Sequence, residues 1–412
     1  MKITKHLLAL ALMLSVSTAI IAQNAMTPYS RYGYGLLQDN ATSTQRAMGG
    51  VGYAMNSGRQ INVMNPASYA SIDSLTFLFD MGISATALWS QEGDKRGKDF
   101  GGGLDYITMQ FPIMKNMGAS IGLLPFSSVG YSFGDKIMHG ANAYEGSGGL
   151  NQLYAGVSGR FFNHLSIGAN VSYLFGTTVN SIYAYTSTGS KSLFERVMQV
   201  RDWRLQFGAQ YSFNVGEKNR VTLGAVFTPG KDLLGKTWGM EYDLDNDEPP
   251  TLSDSLRTKG KYSLPNCWGG GINYEWNNRL MAEVDFTYQT WKDAKFSAIQ
   301  EIEKPRFDNR WEISAGVQYT PKPRGSYAQR IQYRFGGFYN HDYLMVNDNN
   351  VKEYGLSAGF GLPVNGFKTI VNIGFEYRHR QASPQVLIKE DYFNITLGVN
   401  FNEMWFWKNK IR

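Results

Sequence analysis

The two acidic residues best placed for acid–base chemistry are Glu283 and Asp285. Side chains at positions i and i+2 of a strand share one face, so one carboxyl group could hold a proton while the other accepts one. Arg334, two predicted strands further on, is expected to neutralise them. A hydrolase would need a Ser, a His and an acid together, and His164 and His341 fall at the ends of predicted strands without an evident partner. We therefore expect no enzyme activity.

Cofactor and metal sites also lack the residues they need. Cys267 is the single cysteine, which excludes a cysteine-based zinc or iron–sulfur site, and the five histidines are scattered. The glycine runs at 101–103 and 269–271 are not followed by predicted helices, so they do not predict phosphate cradles. The net charge of +6 comes from basic residues interspersed with acidic ones, which argues against a nucleic-acid partner.

The amino terminus predicts export. Lys2 and Lys5 precede an apolar run at 7–21, and Ala22 provides a small residue at the end. The run is shorter than the roughly 20 residues that a spanning helix needs, so we expect a signal peptide over residues 1–22.

Most of the mature chain shows an apolar residue at every second position, as in the segment 165–175. Only a strand places alternate residues on opposite faces. The pattern predicts fourteen strands with approximate cores at 77–89, 107–113, 119–131, 153–161, 165–175, 203–215, 221–227, 268–276, 280–288, 311–319, 331–339, 354–362, 369–377 and 393–401. Outer-membrane barrels have even strand numbers and this alternation. We therefore expect an all-β fold, a 14-stranded antiparallel transmembrane β-barrel over residues 76–412.

The connections between these strands alternate in length. Long segments are expected at 176–202, 228–267, 289–310 and 378–392, which would all lie on the outer side. Aromatic residues near strand ends suit an interfacial girdle, and they include Trp89, Trp268, Trp276, Trp291, Trp311, Trp405 and Trp407. A secreted sandwich or solenoid, the alternative, would not require such a girdle.

Residues 23–75 do not alternate, and they precede the first strand. A fourteen-stranded barrel is wide enough to contain a small domain. We expect this segment to form a plug, or hatch, in the lumen. Charged residues on the lumen face should be paired with one another or with the plug, since unpaired charges in a confined interior are costly. The expected ion-pair set is Arg46, Glu283, Asp285, Glu312 and Arg334.

Several stretches of the chain resemble one known family. The segments 46–50 (RAMGG), 65–67 (NPA), 124–126 (LPF) and 282–291 (AEVDFTYQTW) are similar, in this order, to those of FadL-type outer-membrane transporters of long-chain fatty acids and aromatic hydrocarbons. The family pattern has Gly where this chain has Ser127. The resemblance covers nearly the whole mature chain.

The resemblance implies passive uptake of hydrophobic small molecules, such as long-chain fatty acids, through a lateral opening in the barrel wall. The opening and the hatch residues that pack against it would be formed by Asn65, Pro66, Ala67, Pro125 and Phe126. Proline supports this at position 125, because it lacks the N–H that a central strand needs. The alternative is a FadL-like shuttle barrel of the type IX secretion system, whose outer loops hold secreted proteins.

Apolar residues of the long outer segments are candidates for substrate capture, although loop packing would explain them equally. They are Tyr183, Tyr185, Phe194, Leu233, Leu234 and Trp238. The expected location is the bacterial outer membrane, with membrane lipid and the barrel-insertion machinery as further partners.

Overall fold

A computed structural model describes residues 27–244, 251–258, 262–296, 306–364 and 368–404 of the chain. The expected signal peptide at 1–22, the first plug residues and the aromatic segment after Met404 lie outside the described residues. Among the residues described, no helix is both long enough and apolar enough to cross a membrane.

Fourteen strands form the wall, each antiparallel to its neighbours. They are β1 (Thr76–Glu92), β2 (Lys95–Met114), β3 (Met117–Ile137), β4 (Gly140–Phe161), β5 (Leu165–Thr186), β6 (Lys191–Val215), β7 (Asn219–Thr228), β8 (Cys267–Trp276), β9 (Leu280–Gln289), β10 (Arg310–Tyr319), β11 (Gln332–Val346), β12 (Asn349–Pro363), β13 (Ile370–Ser383) and β14 (Lys389–Met404). The first and last strands pair from Thr76↔Met404 to Gln91↔Lys389, which closes the barrel. The predicted fold, with its fourteen strands, is confirmed.

Several strands are longer than predicted. The expected outer loop at 176–202 is instead the upper part of β5 and β6, which stay paired to Tyr185↔Lys191 around a short turn. The expected loop at 378–392 likewise shrinks to residues 384–388 between β13 and β14. Outside the membrane both faces of a strand meet water, so no alternation marks it in the sequence. Backbone pairing alone continues these strands.

The segment between β7 and β8 also contains strands. Gly235–Asp243 adds to the upper part of β6 and pairs in turn with Thr251–Thr258. Lys231–Leu233 pairs with Tyr262–Leu264 as a small separate sheet. The turn between β10 and β11 carries a short helix, Tyr327–Arg330.

The outer surface of the barrel carries the expected apolar belt. Trp89, Trp268 and Trp276 are each about 40% exposed on the wall, as a girdle requires. Trp291 was expected there but is only 1% exposed. It lies in a 3-10 helix, Trp291–Asp293, with its ring 4.5 Å from the ring of Tyr343. The prediction for Trp291 is therefore wrong, because the segment after β9 folds inward over the plug.

The plug fills the lumen with short elements. They are two 3-10 helices, Pro28–Arg31 and Pro66–Ser71, a strand, Leu36–Leu37, and one helical turn, Ser43–Arg46. Reciprocal hydrogen bonds between Thr42 and Gln45 cap that turn and satisfy amides at the start of the helix. Most side chains of this segment are buried. The plug is thus held by contacts with the wall.

Candidate functional site

The wall is interrupted between β2 and β3. These strands pair only from Met114↔Met117 to Ile107↔Leu123. Beyond Leu123, β3 remains paired with β4 on its other side, as far as Ile137↔Gly140. The interruption therefore opens the outer half of the wall on one side of β3.

A bulge on each strand marks the place where they part. On β3, Phe126 has no partner between Pro125↔Asn151 and Ser127↔Leu150. On β2, Asp105 is the extra residue between Tyr106 and Leu104 in the pairing with β1. Bulges bend a strand, and Pro125 offers no N–H to a neighbour. The two bends direct the strands apart.

The plug occupies the edge of β3 that β2 leaves. Leu36 and Leu37 pair with Ser128 and Ser127. The amide of Gln38 donates to the Phe126 carbonyl at 2.9 Å, and the amide of Thr27 donates to the Gly130 carbonyl at 2.7 Å. The gap is thus bordered by a satisfied strand edge on the β3 side. Sequence reasoning missed Leu36 and Leu37, since an isolated apolar pair carries no strand signal.

A cavity with an empty volume of about 1010 Å³, open to solvent, lies behind the gap. Its lining is largely polar and charged. Arg46 of the plug lies 3.3 Å from Asp105 of β2, and Arg378 lies 2.8 Å from Glu376. A molecule that entered here would meet apolar surface at the membrane and hydrogen-bonding groups further in.

A second cavity, also open to solvent, has an empty volume of about 940 Å³ and lies between the plug and strands β6 to β10. Arg204 lines it, with its guanidinium 5.3 Å from the ring of Phe126. The Nε of Arg204 is buried without a hydrogen-bond partner, and no ion pair of Arg204 is found in the described part of the chain. Phe126 thus connects the bend of β3 to the half-buried guanidinium of Arg204.

The outer end of the plug is closed by an aromatic cluster. The Tyr34 ring lies 5.6 Å from the ring of Trp291 and 5.2 Å from that of Phe296. Burial raises the pKa of Tyr34 well above its usual value, so its hydroxyl stays protonated and donates to the Ser263 carbonyl at 3.0 Å. The Tyr343 hydroxyl donates to the Gly35 carbonyl at 2.6 Å. These contacts seal the lumen from above.

The structure places the hatch residues Asn65, Pro66 and Ala67 against β5 and β6. An added Cβ at Gly208 would be 2.1 Å from Asn65 Oδ1 and 2.8 Å from Pro66 Cδ, so the absence of a side chain there admits the plug. Asn65 caps the helix that follows by accepting from the Ala67 amide at 3.0 Å. The plug residues that border Phe126 are those around Leu37 instead.

Glu283 and Asp285 bind the plug through backbone amides. Glu283 Oε1 accepts from the amides of residues 54 and 55 at 2.8 and 3.1 Å, and Asp285 Oδ2 accepts from those of residues 52 and 53 at 2.7 and 2.9 Å. Arg334, their expected partner, instead donates to Gln318 at 2.8 Å and to Asn372 at 2.7 Å. The expected pairing with Arg334 is therefore replaced by direct anchoring of the plug.

Other expected lumen charges do form ion pairs. Glu312 lies 2.6 Å from Arg310, which also lies 3.3 Å from Asp39 of the plug. Arg46 pairs with Asp105, as described above. Arg310 and Glu312 lie two positions apart on β10 and so share one face. The other two pairs join the wall to Asp39 and Arg46 of the plug, whose irregular path has no period that a sequence can display.

The expected capture residues do not form one surface. Trp238 pairs with Val197 of β6, whereas Phe194 lies at a position of opposite parity on the same strand and so faces the other way. Tyr183 pairs with Leu193, and Tyr185 with Lys191, so both tyrosines share a face with Trp238. Leu233 is buried, and the neighbouring Leu234 is 69% exposed.

Three stretches have the spacing of a hydrolase nucleophile elbow, at residues 118–122 (GASIG), 130–134 (GYSFG) and 355–359 (GLSAG). The first two lie inside strand β3 and the third inside strand β12, whereas the elbow needs a sharp strand-to-helix turn. Their serines are therefore ordinary strand residues. Within the described ranges, no group of three or more His, Cys, Asp or Glu side chains is placed to hold a metal ion.

Similar folds occur among solved structures. A Pseudomonas aeruginosa FadL homologue gives a TM-score of 0.62 at 12% identity, over 89% of this chain and 99% of that one. The P. putida toluene transporter TodX gives 0.59 at 14% identity, over 90% and 100%. The Ralstonia pickettii toluene transporter TbuX gives 0.54 at 13% identity, over 88% and 98%.

A search of curated protein sequences finds no match. The family model described as BamG matches residues 3–412. The closed barrel and this match together identify an outer-membrane protein, as the sequence predicted. The chain belongs to the BamG family, and its fold is that of the FadL-type barrels.

Proposed function

We propose that this protein carries hydrophobic or amphipathic small molecules between the outer side of the membrane and its hydrocarbon interior. The observation that carries the proposal is the gap between β2 and β3, which begins beyond Ile107↔Leu123. The TodX and TbuX structures, described as toluene transporters, have this fold, which supports the same class of cargo here.

Passage through the gap needs no energy source. Burial of apolar surface stabilises a ligand by about 0.8 kcal/mol per methylene, and the hydrocarbon layer offers the same environment as an apolar site. A molecule released sideways moves down its free-energy gradient. The charged lining of the cavity behind the gap favours a cargo that has a polar end.

Arg204 supports a cargo with one anionic end. A guanidinium binds a carboxylate through two parallel hydrogen bonds, and a single Arg matches its single charge. Arg204 lines a cavity that also contains the apolar side chains of Phe126, Val226, Leu264 and Trp291. A long-chain fatty acid would place its carboxylate on Arg204 and its chain along these residues.

The test compares two ligands that differ in the head group alone. Radiolabelled dodecanoate and dodecanol are equilibrated with the detergent-purified full chain. We expect dodecanoate to bind at least tenfold more tightly than dodecanol, and Arg204→Gln to remove this preference while leaving dodecanol binding unchanged. The matched control is Arg201→Gln, an exposed arginine of the same strand. Absence of saturable binding of both ligands would contradict the proposal.

The shuttle alternative, in which outer segments hold secreted proteins, stays a prediction. The outer segments of β5 and β6 form a paired sheet rather than loops. A secreted protein that co-purifies in a one-to-one ratio, in place of bound acyl chains, would favour the shuttle.

A further inference from the structure

The β2 side of the gap presents a bare strand edge. Residues 100–106 of β2 pair with β1, from Phe100↔Ala87 to Tyr106↔Gly82. On the side facing the gap, the described part of the chain supplies no strand for these residues. The edge of β3 opposite is already filled by Leu36 and Leu37 of the plug. β2 and β3 could pair with each other over this stretch only if the plug left the edge of β3.

This edge lies at the depth of the apolar belt. Trp89, an exposed girdle residue, pairs with Lys98 just beyond it. Phe100 and Leu104 point outward and are 71% and 45% exposed. In hydrocarbon each backbone N–H and C=O needs a partner, because no water is present to supply one. A bare edge at this depth is therefore a template for another strand.

Gly102, Gly103, Leu104 and Asp105 of this edge also line the cavity behind the gap, together with Pro125 and Ser128 of β3. Water in the cavity can solvate groups that face inward. The lipid-facing side of the edge, where Phe100 and Leu104 project, borders acyl chains.

We propose that residues 100–106 receive a membrane-embedded β-strand of a partner outer-membrane protein. The side chains near this edge of β2 predict which residues the partner strand would carry. Beside Phe100 and Leu104 its lipid-facing side chains would be apolar at alternate positions, as in any wall strand. At its outer end it would meet the exposed side chains of Arg96 and Lys98, which share the outward face of β2, so it would carry acidic residues there.

This inference goes beyond cargo transport, because pairing at a strand edge requires no small-molecule ligand. A strand bound to β2 would narrow the gap and restrict passage through it. Partner pairing and ligand binding can therefore be measured separately.

The first test replaces Phe100 with the photo-crosslinking residue p-benzoylphenylalanine in the full chain, expressed in its native membrane. The matched control is the same replacement at Phe286, which is 47% exposed on β9, a strand paired on both sides. We expect a near-stoichiometric adduct at Phe100, mapped by mass spectrometry to an alternating apolar strand of an identified outer-membrane barrel, at tenfold or greater excess over Phe286. Adducts with lipid alone, or equal yields at both sites, would overturn the proposal.

The second test measures backbone amide exchange over residues 100–106. In nanodiscs that contain only this protein and lipid, exchange should be fast. In native outer-membrane fragments it should be at least 100-fold slower, while exchange over residues 280–289 stays the same in both. Equal protection in both preparations would mean that the chain satisfies its own edge, and equally fast exchange would mean that no strand binds.

Discussion

Arg46 of the plug lies 3.3 Å from Asp105 of β2, at the point where β2 separates from β3. Ser84 of β1 donates a further hydrogen bond to the same carboxylate at 2.7 Å. The bulged residue of the wall is therefore tied to the plug. This contact joins the two borders of the gap, since the same plug segment pairs with β3 through Leu36 and Leu37.

Loss of this ion pair should loosen the plug at the gap. Both side chains are largely buried, at 22% and 11% exposure, so Arg46→Gln should lower the free energy of unfolding by about 1–3 kcal/mol. It should also raise the permeability of cells to large antibiotics. The control is Arg306→Gln, whose pair with Asp348 is exposed and should contribute little. Equal permeability in both variants would contradict a role in holding the plug.

Truncation of Glu283 should release the plug from β9. Glu283→Ala leaves the amides of Ala54 and Met55 buried without an acceptor, at a cost of about 1–3 kcal/mol for each. Glu283→Gln keeps one oxygen acceptor and should cost less. Limited proteolysis of the purified protein measures the effect as cleavage within residues 52–55. Equal resistance of Glu283→Ala and the unaltered protein would exclude the anchoring role.

A methyl group at Gly208 should displace the hatch. Its Cβ would overlap Asn65 and Pro66, so Gly208→Ala should destabilise the folded barrel by about 1–3 kcal/mol. Gly270→Ala is the matched change, because its Cβ would have no neighbour closer than 3.9 Å. Folded and unfolded barrels migrate differently on a denaturing gel. The temperature at which each variant changes from the folded to the unfolded mobility measures the loss of stability. Similar temperatures for the two variants would show that the hatch adjusts without strain.

The hydroxyl of Tyr343 should matter for the outer seal. It accepts from the Tyr34 amide at 3.2 Å and donates to the Gly35 carbonyl. Tyr343→Phe removes both bonds without changing the ring contacts, at an expected cost of about 1–3 kcal/mol. Tyr327→Phe, an exposed tyrosine of the β10–β11 turn, serves as control. Denaturant unfolding followed by tryptophan fluorescence compares the two variants. An unchanged denaturant midpoint in Tyr343→Phe would show that the hydroxyl does not stabilise the outer end of the plug.

The alternation of apolar residues is sufficient to predict the barrel and its strand number. Within the membrane each strand contacts lipid on one face and the lumen on the other, and this contrast imposes the alternation that residues such as Ile167 and Val171 display. The non-alternating segment before Thr76 likewise predicted a plug. Outside the membrane the two faces of a strand no longer differ in environment, so the sequence shows no alternation there. The upper parts of β5 and β6 were not predicted for this reason.

The contacts between the plug and the wall could not be predicted from the sequence. The partners of Glu283 are amides more than 200 positions away in the chain, and the edge of β3 is filled by Leu36 and Leu37, about 90 positions before it. Such contacts depend on register and on an irregular backbone path, and neither has a period that a sequence can display. The bare edge of β2 arises from the same cause, because the plug occupies the place where β2 would otherwise pair.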